Sequence, residues 1–237
     1  MTTPNRQPGS THLATIAEHY QGPADLPQPV PVFPLLRTIL LPRSILPLNV
    51  FEPRYLAMLA DVMSGSRLIL IAQPATGEGE SPPGKSVPLR RIGCVGRVTT
   101  YQELDDGHLS IVLTGVARCT LAEEVETAKP YRSLNVTFER YLADFLPGGE
   151  DNVDRQHLLT ALKAYLEARR MRADWSAISK ASNEWLVNSL AIVAPYGPEE
   201  KQALLEAPDL KARAEVLVAL AEMELAAGAG GSGPTLQ

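Results

Sequence analysis

One stretch of the sequence matches a catalytic motif letter for letter. Gly79-Glu80-Ser81-Pro82-Pro83-Gly84-Lys85-Ser86 fits G-x-x-x-x-G-K-S, a loop whose backbone N–H groups cradle nucleotide phosphates while its Lys and Ser reach the terminal phosphate and Mg²⁺. Its surroundings argue against that chemistry. Pro82 and Pro83 lack the N–H the cradle needs, and Glu78 and Glu80 put negative charge beside the phosphates. Pro88 opposes a helix opening after Lys85, so no helix dipole would face the anion. Nor does a later apolar strand end in the Asp that would hold magnesium. The stretch reads as a solvated Pro/Gly hairpin loop, with a nucleotide-binding enzyme as the alternative.

Other reactive residue types are scattered. The histidines stand at 12, 19, 108 and 157, none in an H-E-x-x-H or H-x-E setting, so each reads as a surface or core imidazole and not as a metal ligand. Cys94 and Cys119 fall in strand-like runs, where a free thiol behaves as a small buried hydrophobe, and no neighbouring base or cation marks either as a nucleophile. Two cysteines exclude a four-thiol zinc site and a disulfide framework. G-x-S-x-G is absent, and Gly231-Ser232-Gly233 lies in a Gly-rich tail that could not hold a transition state. Trp175 and Trp185 read as anchors of a helical core, with a partner-binding face as the alternative. The chain offers no catalytic constellation, and no cofactor or metal is expected.

The elements that must position any site change character near Pro147-Gly148-Gly149. Before that point, runs of strand composition at 30–36, 44–50, 67–73, 94–104, 108–116, 117–125 and 131–142 are separated by Pro and Gly. Asp105-Asp106-Gly107, followed by alternating Leu109, Ile111 and Leu113, predicts a hairpin with one buried face. With no regular helical interleaving, these runs favour an antiparallel sheet curled or closed on itself, since closure removes exposed edges. One helix interrupts them: Pro53 sits at its first position, Tyr55, Met58, Leu59 and Val62 form its apolar face, Phe51 staples onto that face, and Gly65 supplies a left-handed stop.

Beyond Gly149 the period is helical. Leu158, Leu159, Leu162, Tyr165 and Leu166 make one stripe, and Trp185, Leu186, Ser189, Leu190 and Val193 another. Pro198 opens a short helix, and Asp209 caps a last one carrying Leu210, Leu217, Leu220 and Met223. The expected fold class is α+β: a β subdomain over 29–146 with one inserted helix, then a helical bundle over 150–225. A flexible arm over 1–28, with a short helix from His12 to Tyr20, and a disordered tail over 226–237 flank them.

Composition narrows the partners. At 237 residues the chain is large enough for one large or two small domains. Its 22 Lys+Arg against 27 Asp+Glu leave a net charge of −5, which opposes sequence-independent attraction to nucleic acid or anionic lipid. No apolar run reaches the roughly 18 residues of a membrane-spanning helix, and Met1 to Gly22 lacks the apolar stretch of a secretory signal. A cytoplasmic protein is expected.

Several phrases carry a family likeness: PVFPLL (31–36), LLPRSILPLNVFEPRYLAM (40–58), LILIAQ (68–73), IGCVGRV (92–98), DDGHLSIVLTGVARC (105–119) and PYGPEEKQALLEAPDLKARAEVLVALAEMEL (195–225). In order and spacing the series resembles the N-terminal, substrate-binding domain of the ATP-dependent Lon protease. The resemblance implies a PUA-like β pseudo-barrel followed by a helical bundle, and recognition of protein substrates. It implies no protease activity, because the sequence carries no AAA+ module and no Ser/Lys proteolytic domain.

The expected function is therefore a non-catalytic, polypeptide-binding module, acting as an adaptor or in protein quality control, with unfolded or extended segments and a protease or chaperone system as partners. Extended segments can add main-chain hydrogen bonds at sheet edges without any activated nucleophile. Ile39 and Leu41, in the connection Arg37–Ser44, either plug the core or meet a partner, and the plug is favoured. Arg54 is a candidate contact for substrate carboxylates or phosphates, beside its plainer role in helix initiation. RNA binding is the second alternative, because Arg90, Arg91, Arg97 and Arg118 could converge on one face.

Overall fold

The computed structural model describes residues 19–75, 87–105 and 107–230. The chain divides between Pro147 and Gly148 into two compact units. The first holds β1 (Val30–Pro34), β2 (Ile45–Val50), α1 (Pro53–Met63), β3 (Leu68–Pro74), β4 (Leu89–Glu103), β5 (Leu109–Glu124) and β6 (Ser133–Thr137). The sheet order is β2-β5-β4-β3-β1-β6, and β6 pairs back onto β5. Five strands thus form a closed ring, and β2 is attached outside it along β5.

Two expectations change here. The runs 108–116 and 117–125 are one strand, β5, whose first part pairs with β2 and whose last part pairs with β6. The sheet is mixed and not purely antiparallel, because β1 and β3 run parallel. Parallel neighbours need a crossover, and β2 with α1 supplies it. The Asp-Gly hairpin forms: Leu104 N–H donates to the His108 carbonyl at 2.9 Å, and Gly107 takes a φ of 78°.

Strand alternation sorts side chains into the ring and out of it. Val30, Val32, Leu68, Leu70, Ala72, Val95, Ala117, Cys119, Leu134 and Val136 form one buried cluster with Phe138 and Phe145, whose rings meet edge-on at 5.6 Å. Tyr20 and Leu26 belong to the same cluster, so the stretch expected to be a flexible arm is packed from Tyr20 onward. The Gln28 side-chain amide holds it, donating to the Val136 carbonyl at 2.7 Å and accepting from the Val136 N–H at 2.8 Å. Most of the short helix expected over 12–20 lies outside the described residues.

On the outer side, the Tyr55 ring of α1 packs on Phe33 of β1 at 4.2 Å. Helix α1 begins at Pro53 as expected, and Met58, Leu59 and Val62 are buried. Its exit differs. Gly65 is not left-handed; Arg67 takes a φ of 61°, and its N–H donates to the Val62 carbonyl at 2.9 Å.

The second unit contains α2 (Arg155–Ala168), α3 (Trp175–Lys180), α4 (Asn183–Val193), α5 (Pro198–Glu206) and α6 (Leu210–Gly230). Side chains of Asp154, Asp174, Ser182 and Asp209 accept backbone N–H bonds at the starts of α2, α3, α4 and α6, satisfying donors that a helix start leaves open. The α4 stripe is displaced from the expected one: Leu186, Val187 and Ala191 are buried, whereas Val193 is exposed. Trp175 and Trp185 are 42% and 51% exposed and do not anchor the core; smaller aliphatic side chains on the adjacent face fill it. Met223 is exposed as well, and α6 continues through the Ala-rich 226–230 where a tail was expected. Lys201 is buried, its Nζ donating to the carbonyls of Ala191 (2.8 Å) and Ile192 (2.5 Å) in the last turn of α4. A cation there complements the negative end of the helix, while burial pushes its amine down to about 8.

Candidate functional site

Ile39 and Leu41 are 1% and 0% exposed, so the alternative that they meet a partner is withdrawn. Their connection is laid over a glycine pair. Gly96 and Gly115 face each other across β4 and β5, and a Cβ on Gly96 would stand 2.4 Å from Leu40 Cδ2. Arg43 N–H donates to the Gly115 carbonyl at 2.8 Å, and Gly115 N–H to the Ser44 carbonyl at 2.9 Å. The Ser44 hydroxyl closes the turn, accepting from Leu41 N–H at 3.1 Å and donating to the Leu41 carbonyl at 2.6 Å. The connection is a plug because bare backbone beneath it leaves room for its apolar side chains.

Arg54 is partly exposed but charge-matched: its Nη2 lies 2.7 Å from Glu52 Oε2, and its guanidinium stands over the Tyr55 ring at 4.6 Å. The four arginines considered for RNA do not gather. Arg118 is buried against Asp144, its Nε and Nη2 each 2.7 Å from a carboxylate oxygen. Arg97 donates to the Tyr20 hydroxyl at 2.6 Å and to the Ser66 carbonyl. Arg90 and Arg91 are consecutive in β4, so they point to opposite faces. The Gly79–Ser86 loop lies outside the described residues.

Cysteine chemistry is closed off. Cys119 stands opposite Gly93 and Cys94 opposite Arg118, so the two thiols project from opposite sheet faces and cannot bridge. Both are buried, and burial pushes the Cys119 thiol far above its ordinary range. Among the described residues, no group of three or more His, Cys, Asp or Glu could hold a metal ion.

What the structure does expose is the free edge of β2. Ser44 is bonded to Gly115, and the register places Leu46, Leu48 and Val50 opposite Leu113, Ile111 and Leu109. Antiparallel ladders bond alternate residues, so Leu46, Leu48 and Val50 bond inward, and the backbone groups of Ile45, Pro47 and Asn49 point away from β5. Pro47 fits this phase, since its missing N–H costs the ladder nothing. Side chains of Ile45, Pro47 and Asn49 are exposed. At the end of the strand Phe51 is 57% exposed and does not staple onto α1; its ring lies 5.4 Å from that of His108. Tyr101 on β4 is also exposed, its hydroxyl 3.4 Å from a Glu103 oxygen. Proline inside an otherwise regular run, ILPLNV, was the signal in the sequence that marked β2 as an edge.

These features define an α+β protein: a closed mixed sheet with an added edge strand, followed by a separate helical unit. The chain belongs to the ATP-dependent protease La (LON) substrate-binding domain family, whose model matches residues 29–222. It is similar to the Lon protease of Desulfosudis oleivorans, at 26% identity over 195 residues, covering 79% of this chain and 23% of that protein. Lon protease 2 of Myxococcus xanthus is 27% identical over 205 residues, covering 83% of this chain and 24% of the relative. The chain thus spans about a quarter of the length of these curated relatives. In fold it resembles a Lon N-terminal domain protein from Xanthomonas campestris, with a TM-score of 0.56 at 22% identity, covering 81% of this chain and 98% of that one. The N-terminal domain of Mycobacterium avium complex Lon protease gives 0.55 at 17% identity, covering 82% and 98%. No helix among the described residues is long and apolar enough to cross a membrane.

Proposed function

We propose that this chain is a non-catalytic module that binds unfolded or extended polypeptide, working in the cytoplasm as an adaptor or within protein quality control. The family supplies the class of ligand, since its description is a substrate-binding domain of a protease. The observation that carries the reading is the exposed β2 edge, where Ile45 and Phe51 are more than half exposed beside unpaired main-chain groups. Apolar surface next to free main-chain donors and acceptors suits a chain that has lost its fold, because such a chain exposes both along its length whereas a folded protein buries most of both.

The test is fluorescence anisotropy of labelled, reduced and carboxymethylated α-lactalbumin titrated with the purified chain, with native α-lactalbumin as control. Saturable binding of the unfolded form alone is expected. Absence of a complex at high micromolar concentration, or equal binding of both forms, overturns the reading.

A further inference from the structure

The β2 edge does more than expose apolar surface: its phase fixes what it can hold. Outward-pointing groups are the N–H of Ile45 and Asn49 and the carbonyls of Ile45, Pro47 and Asn49, repeating about every 6.8 Å along the strand. Among the described residues no backbone group bonds to any of them. Two donors and three acceptors at strand spacing match the main chain of one extended segment.

The occupant follows from two further observations. A second copy pairing through its own β2 would bring two Pro47 residues into one short ladder and forfeit two bonds, where a foreign segment forfeits one. The hairpin beside the edge is also acidic. Glu103 and Asp105 are exposed and carry no ion pair among the described residues, whereas the charge of Glu52 is matched by Arg54. Glu103 pairs with Leu109, and Leu109 with Val50, which puts Glu103 two strand spacings, about 10 Å, from β2, about one screening length at 0.1 M salt, and Asp105 follows it in the turn. The β2 strand of a second copy, ILPLNV, brings no cation to offset these carboxylates, whereas a basic segment would neutralise them.

We infer that the β2 edge binds an extended polypeptide as an added strand, selecting segments in which basic side chains alternate with apolar or aromatic ones. The apolar side chains lie along Ile45 and the Phe51–His108 ring pair, and the basic ones reach Glu103 and Asp105. This rests on the polypeptide-binding reading above and specifies its site and sequence preference.

The probe is a fluorescein-labelled peptide, Lys-Val-Lys-Phe-Lys-Val-Lys-Phe, compared with a copy N-methylated at alternate amides and a copy with Glu for every Lys. Saturable binding of the parent is expected, weakened about tenfold or more by N-methylation, since two or three main-chain bonds are lost, and weakened similarly by the Glu exchange. Asn49→Pro removes an outward donor without touching the β2–β5 ladder; it should weaken the parent peptide by a similar factor, with its unfolding midpoint kept. Amide exchange at Ile45 and Asn49 should slow when the peptide is added. Equal binding of the parent and N-methylated peptides overturns strand addition, whether or not Asn49→Pro folds. Equal binding of the Lys and Glu peptides overturns the selectivity. A concentration-dependent dimer abolished by Asn49→Pro overturns the foreign occupant. If unfolded α-lactalbumin binds wild type and Asn49→Pro alike, the edge is not the site and the broader reading stands; if neither it nor the peptide binds, both fall.

Discussion

Arg118 and Asp144 meet at two points, Nε to Oδ2 and Nη2 to Oδ1, each 2.7 Å, while the Arg118 N–H donates to Oδ2 at 3.0 Å. The guanidinium lies 4.2 Å from the centre of the Tyr141 ring. The pair ties the middle of β5 to the turn Glu139–Phe145, and both side chains are buried. Removing one partner strands the other charge away from water. Asp144→Asn should therefore cost about 3–5 kcal/mol, read from the urea midpoint. The double change Arg118→Met with Asp144→Leu should cost less than the sum of the single changes, because it leaves no uncompensated charge.

Leu41 is laid directly on Gly115. A Cβ there would stand within 1.9 Å of the Leu41 carbonyl oxygen and 2.7 Å of its carbon, both backbone atoms that cannot rotate aside. Gly115→Ala should destabilise by about 3 kcal/mol or more and lower the melting temperature by roughly 6–12 °C. Gly96→Ala meets the far end of the Leu40 side chain and should cost less, about 1–2 kcal/mol. Calorimetry of the two variants checks the order; equal effects would mean the connection can lift off its glycine floor.

Lys201 gives the helical unit a pH signature. Burial holds its amine at about 8 against an ordinary 10.5. Between those values the unfolded chain binds the extra proton and the folded chain does not, so the contribution of Lys201 to stability rises with pH from about 8 toward 10. Above about 9 the trend flattens and then reverses, because burial holds the Cys119 thiol far above its ordinary range and Tyr131 and Tyr196 are pushed up to about 12, so the unfolded thiol and then the unfolded tyrosines ionise first. Unfolding free energies of wild type from urea titrations should climb between pH 8 and 9, by up to about 1 kcal/mol. In Lys201→Met the climb should vanish, and overall stability should fall because two carbonyls at the end of α4 lose their donor.

Cys94 and Cys119 should resist a thiol reagent in the native protein and react together in denaturant. Both are buried on opposite faces of the sheet. Their labelling rate with dithionitrobenzoate should follow opening of the ring and not thiolate formation. Fast labelling of either in native buffer would contradict this packing.

How far the fold could be read from the sequence depended on whether the deciding interaction was local. Pro53, the face Tyr55-Met58-Leu59-Val62 and the Asp-Gly turn act within one turn or hairpin, and each formed where expected. Strand β5 was divided at Val116–Ala117 because its continuity depends on partners from distant parts of the chain, β2 along its first half and β6 along its last; the reason for Gly115, room for Leu41, is likewise a long-range contact. The parallel β1–β3 pair depends on a crossover that no single segment reveals. The edge escaped for the same reason: whether β2 is bordered on one side or two is a property of sheet order, and Pro47 alone hinted at it. Phe51 and Trp185 look like core residues by type, but smaller side chains nearby, Val50 and Leu186, take the buried positions.

Because β5 passes from β2 to β6 partway along its length, the strand backing the free edge is also the seam that shuts the ring. A segment lying against β2 is tied through one unbroken backbone to that seam. Tension drawn along the segment would run lengthwise into six bridged pairs that resist together in shear, instead of unzipping one pair at a time from an end. The same strand order that leaves an edge open therefore also anchors that edge along its whole length.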